Sequence, residues 1–211
     1  MVESNRRDFL KAGGVAALAA AAVPAVHAAG DDKIKVGLIG CGGRGSGAIK
    51  QSLNADPSIV VHAIGDVFEP KVTYLEAELK KQYKDRVDVV DRTFNGVDAY
   101  KKVIDSGVQL VLLATPPGFR PAHLEYAVEK GKHIFCEKPV AVDAPGIRRV
   151  LELVEISKKK NLAIVAGTQR RHQAHYLEIM KRVHGGDMGE LVSGQCYWNM
   201  GALWVERAAE N

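Results

Sequence analysis

Cysteine is scarce in this sequence, and its distribution excludes two kinds of stabilised scaffold. The three cysteines, Cys41, Cys136 and Cys196, form no C-x-x-C pair, and their number is odd. A disulfide framework needs paired cysteines, and a structural zinc site needs closely spaced ligands. His172 and His175 are three residues apart, but no third ligand accompanies them, so we expect buried thiols and no metal site.

The sequence also lacks long runs of residues with the same charge. The formal net charge is only +4, and the longest basic run, residues 158–160, closes a predicted helix. We therefore expect no nucleic-acid partner. The chain has no G-x-S-x-G motif and no credible Ser/His/Asp set of the hydrolase type. With 211 residues, 46% of them hydrophobic, it has enough apolar surface for the core of a soluble globular domain.

Residues 1–28 have the pattern of an export signal. Arg6 and Arg7 precede a Phe-Leu-Lys step and a weakly apolar, alanine-rich stretch, and the small residues Val26 and Ala28 stand around a cleavage point. This order is typical of twin-arginine signal peptides, so we expect the chain to use the twin-arginine export machinery and to be periplasmic or otherwise exported. The apolar stretch is too short and too rich in alanine for a stable membrane span.

Beyond residue 33, apolar runs alternate with segments of helical period. Six runs are predicted strands: 34–40, 59–66, 87–94, 110–117, 133–139 and 162–168. Several are apolar at consecutive positions, which is typical of strands buried on both faces of a parallel sheet. The alternation predicts an α/β fold, a Rossmann-type doubly wound parallel sheet, over residues 34–170.

Three of the helices are predicted from apolar residues that recur on one face. Their faces are Leu124, Ala127 and Val128; Ile147, Val150, Leu151 and Val154; and Tyr176, Ile179, Met180 and Val183. The second helix is expected to begin at Asp143 or Ala144, with Pro145 in its first turn.

The C-terminal part differs in character from the rest. Residues 171–211 are predicted to hold a linking helix and, in "GELVSGQCYWN", the first strand of a second α+β sheet domain for substrate binding and oligomerisation. Because one strand cannot fold alone, we expect this chain to be a C-terminally truncated part of a longer protein. We expect that longer protein to be a homo-oligomer.

A glycine pattern follows the first predicted strand. Gly40, Gly42 and Gly45 have G-x-G-x-x-G spacing, in which the glycines allow a tight turn, close approach of a pyrophosphate and close helix–strand packing. Asp66 stands 21 residues beyond Gly45, at the end of the second strand, where a carboxylate binds the adenosine ribose hydroxyls. The pattern predicts a dinucleotide site that favours NAD, with NADP as the alternative because Lys71 lies nearby.

Two polar turns follow apolar strands, in "ATPPGFRPAH" and "CEKPVA". Ligands of an open parallel sheet lie beyond the carboxyl ends of its strands, so both turns are expected at the binding crevice. Lys138 then has two interpretations. Its ammonium group either stabilises a developing alkoxide beside nicotinamide or forms a surface ion pair with Glu137.

The string "ATPPGFRPAHLEYAVEKGKHIFCEKPVAVD", together with "VGLIGCGGRG", resembles the Gfo/Idh/MocA oxidoreductases, the relatives of glucose–fructose oxidoreductase and inositol dehydrogenase. The resemblance covers residues 34–205. The segment that begins at "GTQRRHQAHY" resembles an exported subgroup of that family. The resemblance implies hydride transfer between a nicotinamide cofactor and a sugar, cyclitol or related polyol.

The resemblance also implies roles for individual residues. The nucleotide loop comprises Gly40, Cys41, Gly42, Gly43, Arg44 and Gly45, with Asp66 on the ribose. Thr115 and Pro116 are implied to line the nicotinamide ribose, while Glu137 and Lys138 hold nicotinamide and substrate, with Lys138 as the catalytic residue and a cis bond to Pro139. Substrate contacts are implied for Arg170, Arg171 and His172. His123 matches a common histidine of the following helix, and a second catalytic group is implied in the second domain.

Two other functions remain open at this stage. One is a redox-neutral, NAD-dependent glycoside hydrolase, since relatives with this fold oxidise a sugar transiently, eliminate and reduce again. Those relatives often lack lysine in the Glu-Lys-Pro position, so Lys138 favours a dehydrogenase. The other is a non-catalytic nucleotide- or sugar-binding module, because a fold does not by itself establish activity.

Overall fold

The structure is a computed structural model that describes residues 33–201. The predicted signal peptide and residues 202–211 lie outside this part of the chain. A single sheet of six parallel strands organises the described residues, in the order β3-β2-β1-β4-β5-β6. The strands are β1 Ile34–Ile39, β2 Ile59–Asp66, β3 Thr93–Asn95, β4 Leu110–Leu113, β5 His133–Cys136 and β6 Ile164–Ala166. The predicted Rossmann-type α/β fold is confirmed.

Six helices connect or follow these strands. They are α1 Gly43–Ala55, α2 Glu69–Tyr83, α3 Ala99–Asp105, α4 Arg120–Glu129, α5 Ala144–Lys159 and α6 Ala174–His184. The predicted start of α5 is confirmed: the Asp143 side chain accepts a hydrogen bond from the Gly146 N–H (2.7 Å), and Pro145 stands in the first turn. This is the usual N-cap arrangement, in which a side-chain oxygen satisfies a free backbone donor.

The sheet is buried on both faces, as its continuous apolar strands predict. Leu38 and Leu112 belong to one cluster, which includes buried side chains of α1 and α2. Their chain neighbours Ile39 and Leu113 belong to a second cluster, which includes side chains of α3, α4 and α5. Each fully buried side chain of this size contributes roughly 1.5–3 kcal/mol to folding. The two clusters fix the sheet and leave its carboxyl edge for the connecting turns.

The third strand is shorter than predicted. Only Thr93–Asn95 pair with β2, whereas the sequence predicts a strand over residues 87–94. Val87 forms one isolated bridge with Val61, and the chain then turns through Asp91, which has a left-handed φ of 57°. That conformation interrupts the extended backbone, so the apolar run contributes two short contacts instead of one strand.

The predicted apolar face of α5 is wrong in part. Val150 is buried, but Leu151 is 62% exposed and Ile147 is 41% exposed. The other buried residues of the helix are Leu153, which belongs to the core cluster that includes β5, and Ser157. The helix is therefore rotated relative to the prediction, because the pattern alone does not show which side of a broad apolar stripe meets the sheet.

The segment after β6 packs little against the domain. Helix α6 has the predicted helical span but no buried residue. Residues 190–201 form neither helix nor strand, so the strand predicted there has no partner within the described residues. A strand needs a neighbour for its backbone hydrogen bonds, and the second domain stays a prediction. Within residues 33–201 no helix has the length and apolar character needed to cross a membrane.

A test of the fold is alanine substitution at two glycines of α1. A Cβ on Gly45 would lie 1.8 Å from the Gly40 carbonyl oxygen, whereas a Cβ on Gly47 would have its nearest neighbour, an Arg44 guanidinium nitrogen, at 3.5 Å. We expect Gly45→Ala to lower the free energy of unfolding by several kcal/mol, because the backbone must move. Gly47→Ala is expected to raise it by about 0.5–1 kcal/mol through helix propensity. Urea unfolding of both variants measures this difference. Equal changes in the free energy of unfolding would contradict the close contact between Gly45 and Gly40.

A candidate dinucleotide site at the carboxyl edge of the sheet

The glycine loop between β1 and α1 has the geometry that a close-packed phosphate loop requires. Gly40 has φ +100°, and a Cβ there would lie 2.8 Å from the Thr115 nitrogen. Gly45 packs against the Gly40 carbonyl, while a Cβ on Gly42 would have no atom within 4 Å. The first and third glycines therefore make the turn and the packing, and the second leaves open space in front of the loop.

The N-terminus of α1 faces this open space. The N-cap is Gly42, which provides no side-chain hydrogen bond, and the first turn contains no acidic residue. The first N–H groups of a helix have no partner within the helix, and the helix dipole adds positive potential there. These donors, with the space in front of Gly42, fit the diphosphate of a dinucleotide.

Asp66 is fixed beside the loop by two backbone donors. Its Oδ2 accepts a hydrogen bond from the Cys41 N–H (2.7 Å), and its Oδ1 accepts one from the Phe68 N–H (3.0 Å). Each oxygen retains a lone pair that can accept a ribose hydroxyl. The carboxylate is thus held in place before a ligand arrives.

A cleft of about 470 Å³ lies between the loop and the start of α2. Its lining includes three residues predicted for the cofactor, Cys41, Gly42 and Gly43, together with Lys71 and Tyr74. The cleft is on the side of the loop where the adenosine half of a dinucleotide is expected.

The turn after β4 is organised by two buried side chains of α4. The Thr115 hydroxyl lies 3.2 Å from His123 Nδ1, and the imidazole stacks on Tyr100 with ring centroids 4.2 Å apart. Burial lowers the pKa of His123 to about 4, so its ring is neutral at pH 7. Arg120 donates to the carbonyl of Thr115 (2.7 Å) and to the carbonyl of Pro139. The next predicted residue of this turn, Pro116, is exposed.

Glu137 follows β5 and is buried, with 6% of its surface exposed. Its Oε1 accepts a hydrogen bond from Arg44 Nε at 2.6 Å. A buried carboxylate needs such a cationic partner because its desolvation is otherwise unfavourable. A Cβ on Gly167 would lie 2.8 Å from the same carboxylate oxygen, so the chain after β6 also packs directly on Glu137.

Lys138 is exposed at the same edge, and the Lys138–Pro139 bond is cis, as predicted. Glu137 pairs with Arg44 and not with Lys138, so the predicted alternative of a Glu137–Lys138 surface pair is not formed. Within residues 33–201 the structure gives Lys138 no hydrogen-bond or ion-pair partner. Its ammonium group is therefore available to a ligand in the crevice.

The three residues predicted to contact substrate separate in the structure. His172 lines a second cleft of about 480 Å³ with Arg44, Gly167 and Gln173. The Arg170 guanidinium lies over the Trp198 ring at 4.4 Å and the Tyr176 ring at 5.7 Å. Arg171 is exposed in a short 3-10 helix. Of the three, His172 shares a cleft with the residues around Glu137, and the substrate roles stay predictions.

The cysteines are only partly as expected. Cys41 and Cys136 are buried, and Cys196 is exposed because the strand predicted around it is not formed. Burial, with the Asp66 carboxylate as the next contribution, raises the pKa of Cys41 to about 12, and burial raises that of Cys136 to about 11. Both thiols are protonated at pH 7 and are not nucleophiles. The described part of the chain, residues 33–201, contains no cluster of three potential metal ligands.

Sequence reasoning missed two features of the site. Arg120 was not predicted, although an arginine at the first position of a helix opposes the helix dipole and is a recognisable anomaly. Arg44 was assigned to the nucleotide loop, and its contact with Glu137 joins residues 93 positions apart. No local sequence pattern predicts a contact between residues so far apart in the chain.

The fold and the loop together define a dinucleotide-binding Rossmann domain. Residues 34–168 match the model of the oxidoreductase family with an NAD-binding Rossmann fold, the Gfo/Idh/MocA family. The chain belongs to this family, as the resemblance implied. Residues 3–23 match the twin-arginine translocation signal sequence, so the predicted export by the twin-arginine route is confirmed.

Two curated relatives illustrate the similarity. The inositol 2-dehydrogenase of Rhizobium meliloti (strain 1021) is 28% identical over 159 residues, which cover 75% of this chain and 43% of that protein. A glycosyl hydrolase family 109 protein of Shewanella pealeana is 26% identical over 221 residues, which cover 95% of this chain and 47% of that protein. The chain therefore spans less than half the length of these relatives.

Solved structures share the fold. A scyllo-inositol dehydrogenase from Lactobacillus casei, with bound NAD(H) and scyllo-inositol, has a TM-score of 0.62 at 22% identity and covers 75% of this chain and 43% of its own. An NAD-binding protein from Listeria innocua has a TM-score of 0.57 at 27% identity and covers 75% of this chain and 42% of its own. In both cases the match covers less than half of the solved chain.

The buried neutral His123 predicts a specific response to acid. Its folded-state pKa of about 4 lies below the unfolded value of about 6.5, so the unfolded state binds more protons between these values. The contribution of neutral His123 to the free energy of unfolding is therefore fully present above pH 6.5 and is lost as the pH falls toward 4. We expect the wild-type chain to lose about 1–2 kcal/mol more than His123→Phe between pH 7 and pH 5, measured by urea unfolding. Identical pH dependence of the two proteins would contradict the neutral assignment.

Proposed function

We propose that the full-length protein is an exported NAD(P)-dependent oxidoreductase that acts on a CH–OH group of a sugar, cyclitol or related polyol. The observation that carries this proposal is the direct contact between the phosphate loop and the Glu137–Lys138 turn, through Arg44 and Glu137 (2.6 Å). This contact joins the glycine loop to the turn that carries Lys138 at one edge of the sheet, which supports the proposal.

The relatives support the choice of substrate class. Two of the similar proteins are named as inositol dehydrogenases, and one of their structures holds NAD(H) and scyllo-inositol. An inositol is a ring of CH–OH groups and is chemically close to a pyranose. We therefore extend the class from cyclitols to sugars and related polyols.

Each part of the site has a distinct role in the proposed reaction. A bound nicotinamide would supply the hydride acceptor or donor. Gly42 and Gly43 N–H groups bind the diphosphate, and Asp66 accepts the adenosine ribose hydroxyls. Lys138 donates a hydrogen bond to the substrate oxygen, and its positive charge stabilises the alkoxide that forms when the hydroxyl proton passes to a base of the predicted second domain; the C–H hydride would then pass to the nicotinamide and leave a carbonyl. Glu137 accepts the hydrogen bond from Arg44 and packs against Gly167, and so holds the turn in place.

The cofactor preference follows from Asp66. Its negative charge repels a 2′-phosphate, and its two backbone hydrogen bonds prevent it from moving away. Lys71 lines the same cleft and reduces the preference without removing the carboxylate. We therefore propose NAD as the principal cofactor, with weaker use of NADP.

Asp66→Asn tests this preference. The substitution keeps the shape of the side chain and removes its charge, so the affinity for NADPH is expected to rise relative to that for NADH by about tenfold. Fluorescence titration of the mature chain with both reduced cofactors measures the ratio. Glu69→Gln, which neutralises an exposed carboxylate three residues away at the start of α2, is the control and should leave the ratio unchanged.

Lys138→Met tests the catalytic assignment in the full-length protein. Removal of a donor to a developing oxyanion lowers kcat by about 10²–10³-fold. We expect such a decrease in NADH formation with myo-inositol, scyllo-inositol or an aldose panel, while NAD affinity falls by no more than about tenfold. Lys132→Met is the control, because Lys132 precedes β5 at the opposite end of the same strand.

Unchanged turnover in Lys138→Met would contradict the catalytic role of Lys138, whereas NADH binding by the wild-type protein without turnover of any of these substrates would favour a binding module. A second candidate function, redox-neutral glycoside hydrolysis, is favoured by the similarity to the family 109 protein over 95% of this chain. Release of the aglycone from an aryl glycoside without net NADH formation would support that function over the dehydrogenase.

A further inference from the structure

Arg120 is a buried arginine in an unexpected position. Only 5% of its surface is exposed, and it occupies the first residue of α4. A positive charge at a helix N-terminus is unfavourable, because the helix dipole is positive there. Burial adds a desolvation penalty and lowers the pKa of the guanidinium, although arginine remains charged. Neither helix stability nor core packing explains this residue.

The guanidinium group bridges two turns that are distant in sequence. One terminal nitrogen donates to the carbonyl of Thr115, after β4, at 2.7 Å, and the other donates to the carbonyl of Pro139, after β5. The planar fork of arginine can hold two acceptors in a fixed relation, which a lysine cannot do. These turns carry the residues predicted for the nicotinamide half of the cofactor, Thr115 and Pro116 on one and Glu137 and Lys138 on the other.

The charge of Arg120 is offset only in part. Cys136 and Glu137 favour its charged form, but desolvation by burial has the larger and opposing effect on its pKa. Glu137 in turn pairs with Arg44 from the glycine loop. The ends of β1, β4 and β5 are therefore connected through two arginines and one carboxylate.

We infer that Arg120 is a positioning residue: its guanidinium fixes the turns after β4 and β5 relative to each other, so that Lys138 and Thr115 meet the nicotinamide half of the dinucleotide. This inference rests on the proposed function. It assigns Arg120 no contact with substrate or cofactor. It separates the nicotinamide half of the site, which depends on Arg120, from the phosphate loop and Asp66, to which Arg120 makes no hydrogen bond.

The separation leads to a binding test that needs no substrate. ADP-ribose carries the adenosine and diphosphate but lacks nicotinamide, whereas NADH carries both halves. In the full-length protein, we expect Arg120→Met to weaken NADH binding by about tenfold or more, while ADP-ribose binding changes less than about threefold. Calorimetry measures both dissociation constants, and the blue shift of NADH fluorescence reports the nicotinamide environment.

Arg86→Met is the matched control. Arg86 also donates to backbone carbonyls, those of Ile59 (3.0 Å), Leu53 (2.7 Å) and Asp56 (2.6 Å), but it does so at the amino end of β2, away from the crevice. Arg120→Lys is the second test variant, in case the methionine variant does not fold. It keeps the charge but cannot bridge both carbonyls, so the same selective loss is expected.

The outcomes are distinct. The inference is supported if the Arg120 variants lose NADH affinity more than ADP-ribose affinity, while Arg86→Met leaves the ratio of the two dissociation constants unchanged. Equal weakening of NADH and ADP-ribose, or no weakening, overturns it and leaves the proposed function intact. If the wild-type protein binds neither ligand, both the proposed function and this inference fail.

Discussion

The contact between the backbones of Gly40 and Gly45 is the constraint on which the site depends. A side chain at Gly45 would overlap the carbonyl of Gly40, so α1 can begin this close to the end of β1 only because both positions lack a Cβ. That proximity directs the free N–H groups of α1 toward the space in front of Gly42. It also brings Arg44, which lies in the first turn of α1, within hydrogen-bonding distance of Glu137. The proposed phosphate site and the placement of the Glu137–Lys138 turn therefore depend on the same contact.

Charge organises the remainder of the edge. Glu137 is buried with Arg44 against it, and the Arg44 Nε donates to its carboxylate at 2.6 Å. The carboxylate in turn occupies the space beside Gly167, so the segments after β1, β5 and β6 meet around one group. Breaking such a buried arrangement is unfavourable, since each remaining charge would lose its partner. Lys138 is different: it is exposed and has no partner within residues 33–201, which is the expected state of a group that meets a ligand.

Much of this arrangement could be predicted from the sequence, because local patterns determine it. The glycine spacing, Asp66, the capped start of α5 and the continuous apolar strands all follow from residues that are near one another in the chain. Other features could not be predicted. Arg44 and Glu137 pair over 93 positions, the exposure of Leu151 depends on how α5 rotates, and β3 begins late because Asp91, just before it, adopts a left-handed conformation. Each of these depends on tertiary contacts that propensity and periodicity do not contain.

The proposed function requires a nicotinamide dinucleotide to lie across the carboxyl edge of the sheet with its reactive end at Lys138. A crystal structure of the full-length mature protein with NADH tests this claim most directly. We expect the diphosphate on the N–H groups of Gly42 and Gly43, the adenosine ribose on Asp66, and the nicotinamide within hydrogen-bonding reach of Lys138. A dinucleotide bound elsewhere, or a nicotinamide directed away from Lys138, would contradict it.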